Sequence, residues 1–509
     1  MPASKLAVRP EPMRELILSI PDDARPGYLR IAEGLRSAIQ KGTVKPGERL
    51  PSTRVLAESL GVHRHTMSAA MDELVAEGWL EAGERRAHRV SQVLPSEFFK
   101  PKGGGKPSPF ERGIKWRFVR GAVKSFCAPE TREDYRYVFQ SGVPDLRLFP
   151  YNEFRTCLAE SMRKSPVNFG GYGNAAGHPG FIARFEEYLR RMRAITGRRI
   201  IVTHGAQEGI FLVAQLLVGP GHKVAVEMPG YPSGWDAFRA AGGEIVPVKV
   251  DAQGMDPDAL EAAITKQRIH LICLTPHHQY PTTATLPAAR RLRIYELASR
   301  HQIPIIEDDY DHEFHFRSQP IAPIASTDPC GLVIYMSTLS KITFPSMRIG
   351  CLAVPDALYE PLVNLRSIIT RQTNTFVEDA IARWMDSGGF ERHLRRMRRV
   401  YEERRDVTVA ALEAAKARDL DLAWDVPDGG MAMWLDSKTD ADRVVQLAAE
   451  AGVFVTAESN YHLDPPRRTT HLRLGFASQT PEEIRAGIDL LTGSITAVQH
   501  ETARSRRRA

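Results

Sequence analysis

LVIYMSTLSKITFPSMRIG, residues 332–350, runs from five consecutive apolar residues into hydroxyls, a lysine and an arginine. A short apolar run that ends in polar chemistry reads as a buried strand with functional groups at its C-terminal end. Lys341 is flanked by the hydroxyls of Thr338 and Ser340, and Arg348 follows seven residues on. A lysine amine can form a Schiff base with a carbonyl cofactor, and an arginine with hydroxyls suits a phosphate. Upstream, IPIIEDDYDHEF (303–314) is a second such strand, ending in carboxylates and Tyr310. A carboxylate against a pyridinium nitrogen keeps that nitrogen protonated, which makes the ring the electron sink that pyridoxal phosphate chemistry needs. VTHGAQEGIFLVAQLL (202–217) reads as strand, Gly-containing turn and helix start, where backbone N–H groups can hold a phosphate. Singly, each feature is ordinary surface chemistry. Three at successive strand ends describe one site.

The surrounding chain has the matching texture. Short apolar runs (KVAVEM, HLICLT, GCLAVP) alternate with longer helical patterns such as GFIARFEEYLRRMRA. That alternation predicts βαβ units, a mostly parallel sheet and an α/β fold over residues 136–497, with a smaller C-terminal subdomain from about 385 to 497.

The N-terminal region reads differently. Tyr28, Ala32, Leu35 and Ile39 lie on one face of an amphipathic helix. After the turn-rich KGTVKPGERLPS, Ser52 or Thr53 caps a short helix that Gly61 stops. A third helix carries Met67, Ala70, Met71, Leu74 and Val75, and WLEAGERRAHRV forms two short strands turning at Gly83. Three helices and a hairpin over residues 20–92 predict a winged helix-turn-helix. Its third helix would enter a DNA major groove through its polar N-terminal end, His63, Arg64, His65 and Thr66. Arg49, Ser52 and Arg54 lie upstream, where phosphates would be met.

Composition limits the alternatives. At 509 residues, 43% hydrophobic and 25% charged, the chain is too long for one domain and too apolar to be disordered. It lacks a run of about 18 apolar residues or an apolar leader near its start, so neither a membrane span nor a secretory signal is expected. Five scattered cysteines without a CxxC pair argue for a reducing cytoplasm and against a disulfide framework or a zinc site, and no metal is assigned. The net charge of +7 is uneven: residues 1–99 carry +1, 100–136 carry +6 and 501–509 carry +3, leaving −3 for the rest. The excess lies in a Pro/Gly-rich, flexible linker (93–135) and a basic tail (498–509) expected to be disordered, not in a DNA-coating body.

GERLPSTRVLAESLGVHRHTMSAAMDELVAEGWL (47–80) resembles the GntR family of winged-helix regulators, through Pro46-Gly47, Arg49-Leu50-Pro51-Ser52, Arg54, Leu56-Ala57, Leu60-Gly61-Val62, Arg64, Thr66 and Glu77-Gly78. The resemblance implies that Arg49, Arg54, Arg64 and Thr66 contact DNA. At the wing the usual Gly-x-Gly-Thr-like tip is replaced by Gly83-Glu84-Arg85-Arg86-Ala87-His88. Arg85 and Arg86 there either strengthen phosphate contact or mark a wing that sits differently. Residues 137–495 resemble the fold-type-I aminotransferases, and the pairing with a GntR-like head resembles the MocR family of regulators.

That likeness implies that Lys341 is the aldimine lysine of pyridoxal 5'-phosphate, Asp308 the partner of its pyridine nitrogen and Tyr310 a neighbour of its phenolic oxygen. It implies phosphate contacts from Arg348, Thr338, Ser340 and the amides of Ala206 and Gln207, and a ring stacked on Tyr231. Tyr172 would reach into a second subunit's site, implying a homodimer, and Arg473 would grip a substrate or effector carboxylate. Where many aminotransferases have Asn-Pro-Thr-Gly, this chain has Tyr280-Pro281-Thr282-Thr283. The phenolic-oxygen contact is then left to Tyr280 or His278, with His277 structural and His312 and His315 at the surface or behind the site. The resulting expectation is a cytoplasmic, cofactor-dependent regulator that binds double-stranded DNA and senses an amine, an amino acid or the cofactor itself. The alternative is a competent aminotransferase with an accessory DNA-binding head. A cofactor-free scaffold is disfavoured, because Lys341, Asp308 and Arg348 are all present.

Overall fold

The computed structural model describes residues 20–21, 23–82, 88–95, 135–163, 171–316 and 321–508. The chain divides into two compact units, Met1–Val119 and Arg120–Ala509, and the division falls within the segment read as a linker. Most of that segment, and the wing tip with Arg85 and Arg86, lie outside the described residues.

In the first unit, helices α1 (Gly27–Gln40), α2 (Thr53–Ser59) and α3 (Arg64–Ala76) precede an antiparallel pair, β1 (Leu80–Ala82) and β2 (His88–Val90). Ile31, Ala32, Leu35 and Ile39 from α1 meet Met67, Ala70, Met71 and Leu74 from α3 in one core, so the apolar spacing is the packing face. The Ser52 hydroxyl accepts the Val55 N–H at 3.4 Å and caps α2. Arg36 on α1 bridges to Glu77 just beyond α3.

The second unit is built on an eight-stranded sheet. In chain order its strands are β3 (Arg199–Thr203), β4 (Lys223–Met228), β5 (Glu244–Asp251), β6 (Gly254–Met255), β7 (Leu271–Leu274), β8 (Ile305–Asp309), β9 (Val333–Thr338) and β10 (Gly350–Val354). Their spatial order is β3-β10-β9-β8-β7-β4-β5-β6. The run β9-β8-β7-β4-β5 is parallel, whereas β10 is antiparallel to both β9 and β3. Its strand interiors are rich in buried Val, Ile and Leu, as expected of strands covered on both faces, and polar residues are buried where β8 and β9 end. Two helices set up the site: α4 (Ala206–Leu217) follows β3 and α5 (Pro232–Ala240) follows β4. Further along, α6 (Thr375–Asp386) and the 28-residue α7 (Gly389–Lys416) lead into a four-stranded sheet, 423–424, 432–436, 471–475 and 456–457 in spatial order, and α8 (Pro481–Arg508) closes the chain.

The last helix differs from the expected disordered tail. After Gly493 the sequence holds neither Gly nor Pro, so nothing interrupts the helix, and it runs on to Arg508. Arg443 approaches Glu501 at 3.4 Å on this extension. Among the described residues, no helix is long and apolar enough to cross a membrane.

Candidate cofactor cavity and nucleic-acid face

The parallel strands β8 and β9 stop in register, Met336 opposite Asp308, so the residues that follow them converge on one cavity. Its volume is about 210 Å³, and its lining includes Ala206, Gln207, Tyr231, Tyr280, Asp308, Tyr310, Thr338, Ser340, Lys341 and Arg348. These are ten of the residues singled out in the sequence.

One end of the cavity is an anion cradle. Gly205 caps α4 with φ +79°, a left-handed backbone that glycine tolerates, and the first-turn N–H groups of Ala206 and Gln207 have no intrahelical acceptor. Arg348 lies against this turn, its Nη2 donating to the His204 carbonyl at 2.6 Å. A Cβ on Gly205 would sit 2.8 Å from that guanidinium, and one on Gly350 would sit 2.8 Å from the Gly205 carbonyl carbon. Two glycines therefore keep the cradle close-fitting. The Thr338 hydroxyl donates to Ser340 Oγ at 3.0 Å, adding two hydroxyls beside the helix N-terminus.

Charge is set at the other end. Asp308 is 6% exposed, and its Oδ1 has no hydrogen-bond partner among the described residues. Burial, reinforced by the neighbouring Asp309, pushes its carboxyl up to about 7. A buried carboxylate left in this way is stabilised by a cationic donor, and a protonated ring nitrogen is such a donor. Lys341 donates from Nζ to the Gly142 carbonyl at 2.8 Å. Burial lowers its ammonium below the usual lysine range, against the pull of Asp311 and Asp308, which favours the neutral, nucleophilic amine. Cradle, orphaned carboxylate and lysine thus fit a phosphate-bearing pyridine aldehyde.

Arg473 is 2% exposed and borders the cavity without lining it. Its Nε donates to Ser141 Oγ at 2.6 Å, Nη1 donates to the Pro281 carbonyl, and Nη2 reaches the Tyr310 hydroxyl at 3.5 Å. The guanidinium also lies 4.4 Å from the Tyr280 ring centre. All its hydrogen-bond acceptors here are uncharged.

Other residues are placed differently. Tyr172 is 87% exposed, with Arg371 packed over its ring at 5.5 Å, and is not part of the cavity of its own chain. His278 does not line the cavity; its Nδ1 pairs with Asp311 Oδ1 at 2.7 Å, so of the two residues left open for a ring-oxygen contact only Tyr280 lines it. His312 and His315 are not at the surface: they are 4% and 8% exposed and cluster with His277. Thr283, at the place of the glycine in the Asn-Pro-Thr-Gly pattern, holds φ +64°, a backbone that glycine adopts more easily.

Some lining residues had not been singled out: Ser141, Gly142, Thr275 and Pro345. Gly142 holds φ +69°, and a Cβ there would lie 2.8 Å from Lys341 Nζ. The Thr275 hydroxyl accepts the Tyr280 N–H at 2.9 Å and donates to buried Glu227 at 2.6 Å, fixing the loop that carries Tyr280. The one available signal was SGVPD (141–145), a Gly-Pro turn at the start of the α/β region.

In the first unit Arg64 is the first residue of α3, His63 is its N-cap, and both are exposed. Arg49 is exposed on the strand-like segment bridging to Arg89. Arg54 pairs with Glu58 at 3.0 Å on an exposed helix face, where such a pair is easily exchanged for a phosphate. Thr66 is half-buried, and the Ser52 hydroxyl accepts the Val55 N–H as the α2 cap, with its own proton left to donate.

Residues 149–491 match the family described as aminotransferase class I and II, and residues 27–90 match the bacterial regulatory proteins of the gntR family. The chain is 32% identical to the probable rhizopine catabolism regulatory protein MocR of Rhizobium meliloti, over 94% of this chain and 95% of that protein. It is 30% identical to the HTH-type transcriptional regulator TauR of Rhodobacter capsulatus, over 90% and 94%. Among solved structures, the kynurenine aminotransferase of Pyrococcus horikoshii, crystallised with PMP, superposes with a TM-score of 0.67 at 26% identity, covering 72% of this chain and 91% of that one.

Proposed function

The chain belongs to the MocR-type transcription regulators, in which a GntR-family head precedes an aminotransferase class I and II body, and on that premise we propose that it is a DNA-binding regulator governed by pyridoxal 5'-phosphate and an amine or amino-acid effector. One observation carries the reading: a single chain joins a winged-helix unit with an open, cationic recognition-helix start to a cavity that holds Lys341, an anion cradle and a buried Asp308 whose Oδ1 has no partner among the described residues.

Bound pyridoxal phosphate supplies an aldehyde carbon that amines attack and a ring that withdraws electrons. The chain's own groups serve that chemistry. Arg348, the Thr338 and Ser340 hydroxyls and the α4 N-terminus hold the phosphate, while Asp308 holds the proton on the ring nitrogen. Tyr231 and Tyr280, 5.4 Å apart edge to face, flank the cavity. Lys341, whose burial favours the neutral amine, would supply the nucleophile that holds the cofactor's aldehyde carbon. Arg473 selects ligands with a carboxylate by exchanging the Pro281 carbonyl for a charged, bidentate partner. Tyr172, exposed on its own chain, supports a homodimer in which it completes the second site. Two heads would then read paired half-sites.

A specific observation also favours the second reading, a competent aminotransferase with an accessory DNA-binding head: the reactive lysine, the ring-nitrogen carboxylate and an arginine without a carboxylate partner are all retained. Footprinting the full chain on the DNA upstream of its own coding sequence tests the regulator. A protected site is expected, and Arg64→Ala is expected to weaken it about tenfold to hundredfold, as for the loss of one arginine contact to a base. No protected site, together with steady-state amino-group transfer, would favour the enzyme.

A further inference from the structure

Four histidines, His277, His278, His312 and His315, sit behind the cofactor cavity, none more than 8% exposed. They come from the loops after β7 and β8, neighbouring parallel strands. We propose that His277, His278 and His315 bind a divalent transition-metal ion, zinc by preference, where these two loops meet the 428–430 loop.

The three imidazoles each offer a ring nitrogen, and these atoms lie within 4.8 Å of one another. His278 Nδ1 is 2.7 Å from Asp311 Oδ1. Donation to that carboxylate fixes the tautomer and leaves a lone pair on Nε2, which is buried with no partner among the described residues. A carboxylate behind an imidazole whose other nitrogen faces inward is the arrangement that supports zinc-bound histidine. His277 Nε2 is likewise buried and without a partner among the described residues. Buried polar ring nitrogens without a partner are costly, and a cation bound between them would remove that cost.

The third ligand is held in place by backbone. His315 forms a β-bridge with Gly429, the Phe316 N–H donates to the Asp428 carbonyl at 2.8 Å, and the Gly430 N–H donates to the Phe314 carbonyl at 2.6 Å. A Cβ on Gly429 would collide with the Phe314 carbonyl and stand 2.8 Å from His278 Nε2, so glycine lets this loop pass close to that nitrogen. Zinc holds imidazole nitrogens at about 2.0–2.1 Å, and three imidazoles leave the fourth tetrahedral position for water. Imidazole sets favour zinc, copper or nickel over magnesium or calcium. The alternative set, His277, Asp309 and His312, is less suited. Asp309 Oδ2 already accepts from the Tyr335 hydroxyl and stands 3.4 Å from Arg193 Nε, so a metal there would face a guanidinium.

This site was invisible in cysteine spacing because its ligands are imidazoles from separate loops. The test uses the full chain without a histidine tag, stripped with chelator and dialysed against zinc or cobalt. About one zinc per chain by mass spectrometry, and visible cobalt bands of tetrahedral intensity, are expected. His278→Gln and His315→Gln should abolish binding, Asp311→Asn should weaken it about tenfold to hundredfold, and exposed His301→Gln should leave it unchanged. Circular dichroism confirms that each variant is folded. Absence of zinc uptake and cobalt bands in the wild type overturns the proposal whatever the variants do. Binding lost in His312→Gln but kept in His315→Gln overturns it in favour of the other set.

Discussion

Lys341→Ala protein is expected to show no absorbance band distinct from that of free pyridoxal phosphate when the cofactor is added, and to retain no cofactor mass after borohydride reduction. Lys341 is the sole lysine lining the cavity among the described residues, so no other amine replaces it. Its burial lowers the ammonium pKa, and the carbonyl of Gly142, whose φ of +69° favours glycine, holds Nζ at 2.8 Å. The Arg348 cradle is untouched by the substitution, so weak, non-covalent cofactor binding should persist with the spectrum of the free aldehyde. A band of wild-type position and intensity in the variant would show that the reactive amine lies elsewhere.

The second large effect is expected at Arg473. In cofactor-loaded protein, Arg473→Gln should raise the half-saturating concentration of amino acids by roughly 30-fold or more, corresponding to about 2 kcal/mol or more for a lost buried ion pair. The matching decarboxylated amines should be nearly unaffected. The reason is the partner set: Ser141, Pro281 and Tyr310 offer only neutral oxygens to a guanidinium that is 2% exposed. Spectral titration with paired ligands separates the roles. Equal weakening for amino acids and amines would make Arg473 a structural brace between the strand at 471–475 and the Tyr280 loop.

The cavity was largely legible in the sequence for a physical reason. Parallel strands end on one edge of the sheet, so the residues just past each apolar run, Asp308, Thr338 and Lys341, must face the same space. The helix start at Ala206 followed from Gly205 in the same way. What was not legible depends on packing between distant segments. Gly142 matters because the loop before the first body helix folds back onto Lys341, and no local periodicity announces that. The burial of His315 is set by the 428–430 loop, more than 110 residues away in sequence. The long final helix was missed because a basic composition was weighed above the absence of a helix breaker after Gly493. In the head, Ser52 accepts the Val55 N–H as the cap its sequence position implied, and its hydroxyl proton stays available to a phosphate.

The central claim is that effector binding in the body and DNA binding by the heads are one coupled equilibrium. It is tested most directly by titrating cofactor-loaded protein with an amine or amino-acid effector, followed by absorbance, with and without a footprinted DNA site, and by titrating the DNA with and without that effector. Linkage requires the two affinities to change by the same factor, and a factor of about 5 to 150, or 1–3 kcal/mol, is typical of such coupling. Equal, reciprocal shifts that vanish in Lys341→Ala are the predicted result. Effector and DNA affinities that are each indifferent to the other ligand would contradict it.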